Sequence, residues 1–165
     1  MKRITLFLLL LTAVLMNAQT NPIQIINFSP YDIKFTLLSN DPNTSAQDCL
    51  SLVFNEDPVL LPSGNSVTYK FHNTSNMVIP PINKWRVYHI SGGDVTYDLT
   101  TGAQIPAAVT NIAVWGHIMI YTPAGEQFQL GRSCMGPTGN YTLPSGGTIN
   151  ATWSTLNGNV LVVIT

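Results

Sequence analysis

The side chains able to do acid–base, nucleophilic or metal chemistry are few in this chain and far apart. Its histidines are His72, His89 and His117, its cysteines Cys49 and Cys134, and its glutamates Glu56 and Glu126. Three imidazoles can hold zinc if they converge. These three fall on different expected strands and out of phase, His72 with Thr68 and Lys70 on a polar face and His89 with Trp85 and Val87 on an apolar one. Three unrelated histidines are expected, with no metal and no cofactor. Glu56 and Glu126 could supply the two carboxylates of a glycosidase, whose separation is a spatial matter, so a secreted hydrolase is the alternative reading. The sequence contains no G-x-S-x-G nucleophile turn, no H-E-x-x-H helix and no phosphate-binding glycine loop.

A calcium loop is the better metal candidate. In "DPNTSAQD", Asp41, Asn43, Ser45 and Asp48 offer oxygen ligands as hard-cation loops do. Ala46 stands where such a loop has glycine, and no glutamate closes the set, so a surface turn whose Asp and Asn side chains bond their own backbone is the expectation. Cys49 and Cys134 are not near any histidine and form no C-x-x-C pair. In an exported chain two such thiols pair, and a bridge across about 85 residues stabilises the fold by roughly 4 kcal/mol in the chain-entropy picture.

The segment "NIAVWGHIMIYTPAGEQFQLGRSC" carries the remaining chemistry. Strict alternation puts Ile112, Val114, Gly116, Ile118 and Ile120 on one face and Trp115, His117, Met119 and Tyr121 on the other. The aliphatic face is expected to be the core. Trp115, His117 and Tyr121 then project outward, where they either lie under a loop or form an aromatic platform of the kind that stacks on a sugar ring or anchors a protein partner.

The elements that must position these residues are strands. Helical periodicity is absent beyond the first residues, and period-two alternation recurs between Gly, Pro, Asn and Asp clusters. Tyr31 to Leu38 is the clearest case. Comparable runs are Ile23 to Phe28, Leu50 to Phe54, Ser66 to His72, Trp85 to Ile90, Val95 to Leu99, Ile112 to Tyr121, Gln127 to Leu130, Thr148 to Trp153 and Val160 to Ile164. About ten short strands whose apolar faces all need cover point to an all-β fold, a single β-sandwich of immunoglobulin-like or jelly-roll type. Asn157-Gly158 predicts a hairpin between the last two runs. "LPSGNSVTY" at 61–69 and "LPSGGTINATW" at 143–153 share a prolyl-glycyl turn before an alternating strand, from either a duplication or ordinary turn chemistry.

Composition bounds the rest. Lys2 and Arg3, an apolar run from Ile4 to Met16 and the small-residue stretch Asn17-Ala18-Gln19 have the order of a secretory signal. Residues 1–18 are expected to be removed, leaving 19–165 as one domain that is secreted, periplasmic or held at the cell surface. Only 9% of residues are charged and the net charge is −1, which leaves no basic field for nucleic acid. The later apolar runs are too short to span a bilayer. Together these features predict a secreted, non-catalytic binding or adhesion module whose partner is an extracellular glycan or a protein.

Overall fold

The computed structural model of the protein describes residues 21–42, 51–88, 93–132 and 135–165. Cys49, Cys134, His89, Asn43, Ser45, Asp48 and residues 1–18 lie outside the described residues, and with them the expected disulfide, most of the expected calcium loop and the expected signal sequence.

The described chain is mostly β and packs two open sheets face to face. One sheet has five strands in the order β10 (Thr138–Thr142), β11 (Thr148–Leu156), β12 (Asn159–Ile164), β1 (Ile23–Asn27) and β5 (Ser66–Tyr69). The other has seven. It runs β7 (Val95–Asp98), β6 (Lys84–Val87), β3 (Val53–Asn55), β2 (Ile33–Asn40), β8 (Val114–Tyr121) and β9 (Gln127–Gly131), with β4 (Val59–Leu61) also paired to β2. The helical content described is a 3-10 turn at His72–Met77, another at Leu99–Thr101 and a single turn, α1 (Ala107–Thr110). The sandwich expected from the alternation is therefore present, with twelve strands among the described residues rather than about ten.

The two strands that alternation does not reveal have physical reasons to be silent. β4 is three residues, Val-Leu-Leu, caught between Pro58 and Pro62. It is too short to show a period. β10 reads Thr-Gly-Asn-Tyr-Thr, with two residues that strands disfavour and one apolar side chain. It forms because β11 lies beside it, Thr138 opposite Thr152 and Asn140 opposite Asn150.

The core is the set of inward positions that strict alternation supplies. Ile23 and Ile25 of β1, Phe35 and Leu37 of β2, Ile118 and Ile120 of β8, and Val162 and Ile164 of β12 are fully buried. Burying each such side chain contributes about 1.5–3 kcal/mol. The chain crosses from β1 to β2, and so between sheets, through Asn27, whose carboxamide is buried. Its Nδ2 donates to the carbonyls of Tyr31 and Leu61 at 2.8 and 3.1 Å, and its Oδ1 accepts from the Ser29 hydroxyl at 2.7 Å. A buried amide satisfied on both ends fixes that corner.

The two Leu-Pro-Ser-Gly turns prove to be the same chemistry in different places. Gly64 and Gly146 both take positive φ, +76° and +93°. The first turn carries the chain from β4 in one sheet to β5 in the other, whereas the second closes the β10–β11 hairpin within one sheet. The likeness is one of turns set at different places in the topology.

The Asn157-Gly158 hairpin is as expected. Both residues have positive φ, +51° and +82°, as a two-residue hairpin of the primed type requires. Leu156 then pairs with Asn159 and Trp153 with Val162. On its other edge β12 runs parallel to β1, with Ile25 opposite Val162. Because β12 lies between β11 and β1, truncation after Asn159 should split the five-stranded sheet into two separate pairs, β10–β11 and β1–β5, and abolish the cooperative thermal transition. Circular dichroism melting of the soluble fraction checks this; a soluble, cooperatively melting product of similar midpoint would refute it.

Candidate functional site

Alternation fails at two points of this fold, and both border the same cleft. The first is the exit from β5. Val67 and Tyr69 face inward, then the strand ends, Lys70 and Phe71 are both exposed, and His72 turns into the core as the 3-10 turn begins. His72 was expected on a polar face with Thr68 and Lys70. It is instead buried, because the turn replaces the period of two just before it.

The second failure is in β8. Ile120 pairs with Phe35, Ile118 with Leu37 and His117 with Leu38, but the next partner of Ser39 is Trp115, so Gly116 is an extra residue and the strand bulges there. A bulge reverses the facing of everything beyond it. Trp115 therefore joins Ile118 and Ile120 on the inner face and becomes part of the core. This corrects the expectation that Trp115 stands on an outer platform. Glycine is required at the bulge by space, since a Cβ on Gly116 would run into the Asn40 carboxamide.

Of the remaining platform residues, His117 stays on the outer face with Leu38 but is buried, only 4% exposed. Burial lowers its pKa from the ordinary histidine value. Tyr121 is half-buried, its hydroxyl 3.4 Å from that of Thr36. The three residues do not make one exposed surface. His72 and His117 are also kept apart, on opposite faces of the seven-stranded sheet.

The two inversions bring aromatic groups together beneath the cleft. The His72 ring lies 4.6 Å from the Trp115 ring and 4.7 Å from that of Trp85, tilted by 35° on one and nearly edge-on at 74° to the other. All three polar handles are engaged. His72 Nε2 is 2.9 Å from the Ser39 hydroxyl, Trp85 Nε1 donates to Ser75 Oγ at 2.9 Å, and Trp115 Nε1 donates to the Asn21 carbonyl at 2.9 Å. Burial lowers the His72 pKa to about 4, so the ring is neutral at physiological pH. Ser39 has no exposed surface. The Ser39 hydroxyl thus meets His72 from within the core, itself out of reach of a substrate, and is not placed as a nucleophile beside its base.

Above this floor is a cleft of about 270 Å³. The 3-10 turn supplies Thr74, α1 supplies Thr110, the β11–β12 hairpin supplies Thr155, and Lys70 and Arg132 flank it. Phe71, 41% exposed, stands among these residues as an aromatic face open to solvent. No carboxylate is among the described lining residues.

The other candidates lie elsewhere. Glu56 accepts from the Arg86 guanidinium at 2.6 Å, and that bond holds its carboxyl below the usual range. Glu126 lies in the turn between β8 and β9, and neither glutamate lines the cleft. Asp41 is half-buried at the end of β2. Among the described residues no group of three His, Cys, Asp or Glu side chains could hold a metal ion.

Phe71, Lys70 and Arg132 were not singled out by sequence reasoning. One signal could have found the bulge: a lone glycine inside a strand pattern marks such a site, and Gly116 is that glycine. Comparison with protein-family models, curated proteins and solved structures finds no match.

Two measurements follow from the stack. Trp115→Ala should cost about 3–5 kcal/mol, as truncation of a core tryptophan does, and Tyr121→Ala clearly less; chemical denaturation of both variants checks the order, which a larger loss at Tyr121 would reverse. The second concerns pH. The unfolded chain protonates His72 near pH 6.5 while the folded one resists down to about pH 4, so this contribution to stability is complete above pH 6.5 and is lost as pH falls toward 4. Its full size is roughly 3 kcal/mol. Denaturation curves at pH 7 and pH 4.5 should show a smaller acid loss in His72→Gln than in the unaltered protein.

Proposed function

We propose that this chain is an exported, non-catalytic binding module that holds an extracellular saccharide in the cleft between the 3-10 turn and the β11–β12 hairpin. The observation that carries the reading is Phe71, an exposed aromatic face set among the threonine hydroxyls of a cleft with a rigid aromatic floor. A pyranose ring presents an apolar C–H face and a rim of hydroxyls. It needs an aromatic surface beside short polar side chains, and aromatic groups with one wet edge serve such sites. The cleft is slightly smaller than the general range for small-molecule sites, about 300–1,000 Å³, which suits one or two sugar units rather than a long chain.

Two features favour binding over hydrolysis. Neither Glu56 nor Glu126 lines the cleft, and Glu56 is already paired with Arg86. The imidazole nearest to it, His72, lies in the floor with its Nε2 against Ser39. The leader-like first residues and the low charge of the chain support export.

A glycan array probed with the protein from residue 19 onward tests the reading. Phe71→Ala should lose at least tenfold in affinity for any glycan bound while keeping its melting temperature, since an exposed side chain contributes about 0.5 kcal/mol or less to stability. Binding that survives Phe71→Ala would move the site elsewhere.

A further inference from the structure

We propose that the saccharide taken by this cleft is acidic, carrying a carboxylate or a sulfate ester that Lys70 and Arg132 receive; the inference rests on the saccharide reading above. The argument is one of charge placement. The chain has eight acidic and seven basic residues and a net charge of −1. Two of the cations on the seven-stranded sheet are matched by acids: Arg86 pairs with Glu56 at 2.6 Å and approaches Asp94 at 3.9 Å, and Lys84 sits opposite Asp98 in the β6–β7 register, while Lys34 stands alone on β2 between Leu60 and Tyr121. Lys70 and Arg132 differ from these three in meeting at one site. Both line the cleft, and the described lining residues include no carboxylate to balance them.

Their positions are also fixed by the fold. Lys70 is the first residue beyond β5 and Arg132 the first beyond β9, so the two cations reach the cleft from different sheets. The Arg132 amide donates to the Gly116 carbonyl at 2.9 Å, which ties that cation to the bulge that turns Trp115 inward. An anion on the sugar would thus be met by a guanidinium fork, which matches a carboxylate or sulfate through two parallel bonds, and by an ammonium acting as a point charge. Phe71 would meet the ring that bears it. A neutral sugar gains little from either cation, and a cationic one is repelled by both.

The experiment uses matched probes on the unaltered protein from residue 19 onward: trigalacturonate and its fully methyl-esterified form, a sulfated disaccharide and its desulfated form, and a short glutamate peptide. They are read by titration calorimetry beside the glycan array. The proposal expects each acidic sugar that binds to do so at least tenfold more tightly than its neutral partner, with affinity falling as salt rises from 50 to 500 mM. It expects Lys70→Gln and Arg132→Gln each to weaken that binding about tenfold, one charge-assisted bond being worth about that factor, at an unchanged melting temperature. Preference for the carboxylated or the sulfated pair identifies the source of the anion. Array hits that are all neutral and indifferent to salt overturn the acidic assignment and leave the saccharide reading in place. Tighter binding of the glutamate peptide than of any sugar overturns both, as does an array and probe set with no binding at all.

Discussion

The imidazole of His72 held between the indoles of Trp85 and Trp115 is the contact on which the end of this sandwich depends. Trp85 belongs to β6 and Trp115 to β8, both in the seven-stranded sheet, while His72 arrives on the segment leaving β5 of the five-stranded one. One ring therefore ties a connection between sheets to the inner face of the sheet it enters. The tie works only with a neutral imidazole, because burial in a low-dielectric setting penalises charge. The hydroxyl of Ser39 meets its Nε2, and that serine reaches inward because Phe35 and Leu37 set the phase of β2. The aromatic trio thus rests on the same alternation that builds the aliphatic core.

That dependence explains what could be read from the residues and what could not. The sheets, the C-terminal hairpin and the aliphatic core follow from a period of two and from turn chemistry, both of which are local. The side on which Trp115 and His72 fall is not local. It is decided by one inserted residue, Gly116, and by the change from strand to 3-10 turn at His72, and either event reverses every later assignment in its run. Strict alternation points Trp115 outward only because it is counted across the bulge at Gly116. Tyr121 and His117, on the near side of it, are on the face that alternation gives them, although His117 is covered. The cleft could not be seen from the sequence at all, since its lining comes from five separate stretches of chain that only the packing of the two sheets brings together.

The five-stranded sheet has no charged residue in its strands, and its β10–β11 ladder is polar. Thr138 faces Thr152, Asn140 faces Asn150 and Thr142 faces Thr148 across the β10–β11 ladder, so cross-strand hydroxyl and amide pairs take the place that ion pairs occupy in many exposed sheets. The ion pairs among the described residues lie on the β3–β6–β7 face, where Arg86 meets Glu56 and Asp94. A net charge near zero makes two cations at one site, with no carboxylate among its described lining residues, more conspicuous to an approaching anion than they would be on a basic protein.

The parallel pairing of β1 with β12 has a consequence for the order in which the molecule can be made. Ile23 and Val160 are neighbours in the sheet but lie at opposite ends of the described chain, and contacts of such long sequence separation form late and slowly. A growing chain that already contains β1 has no partner for that edge until nearly all the remaining strands have been synthesised. The five-stranded sheet therefore closes only when the last strand is made, however early β1 and β5 have paired.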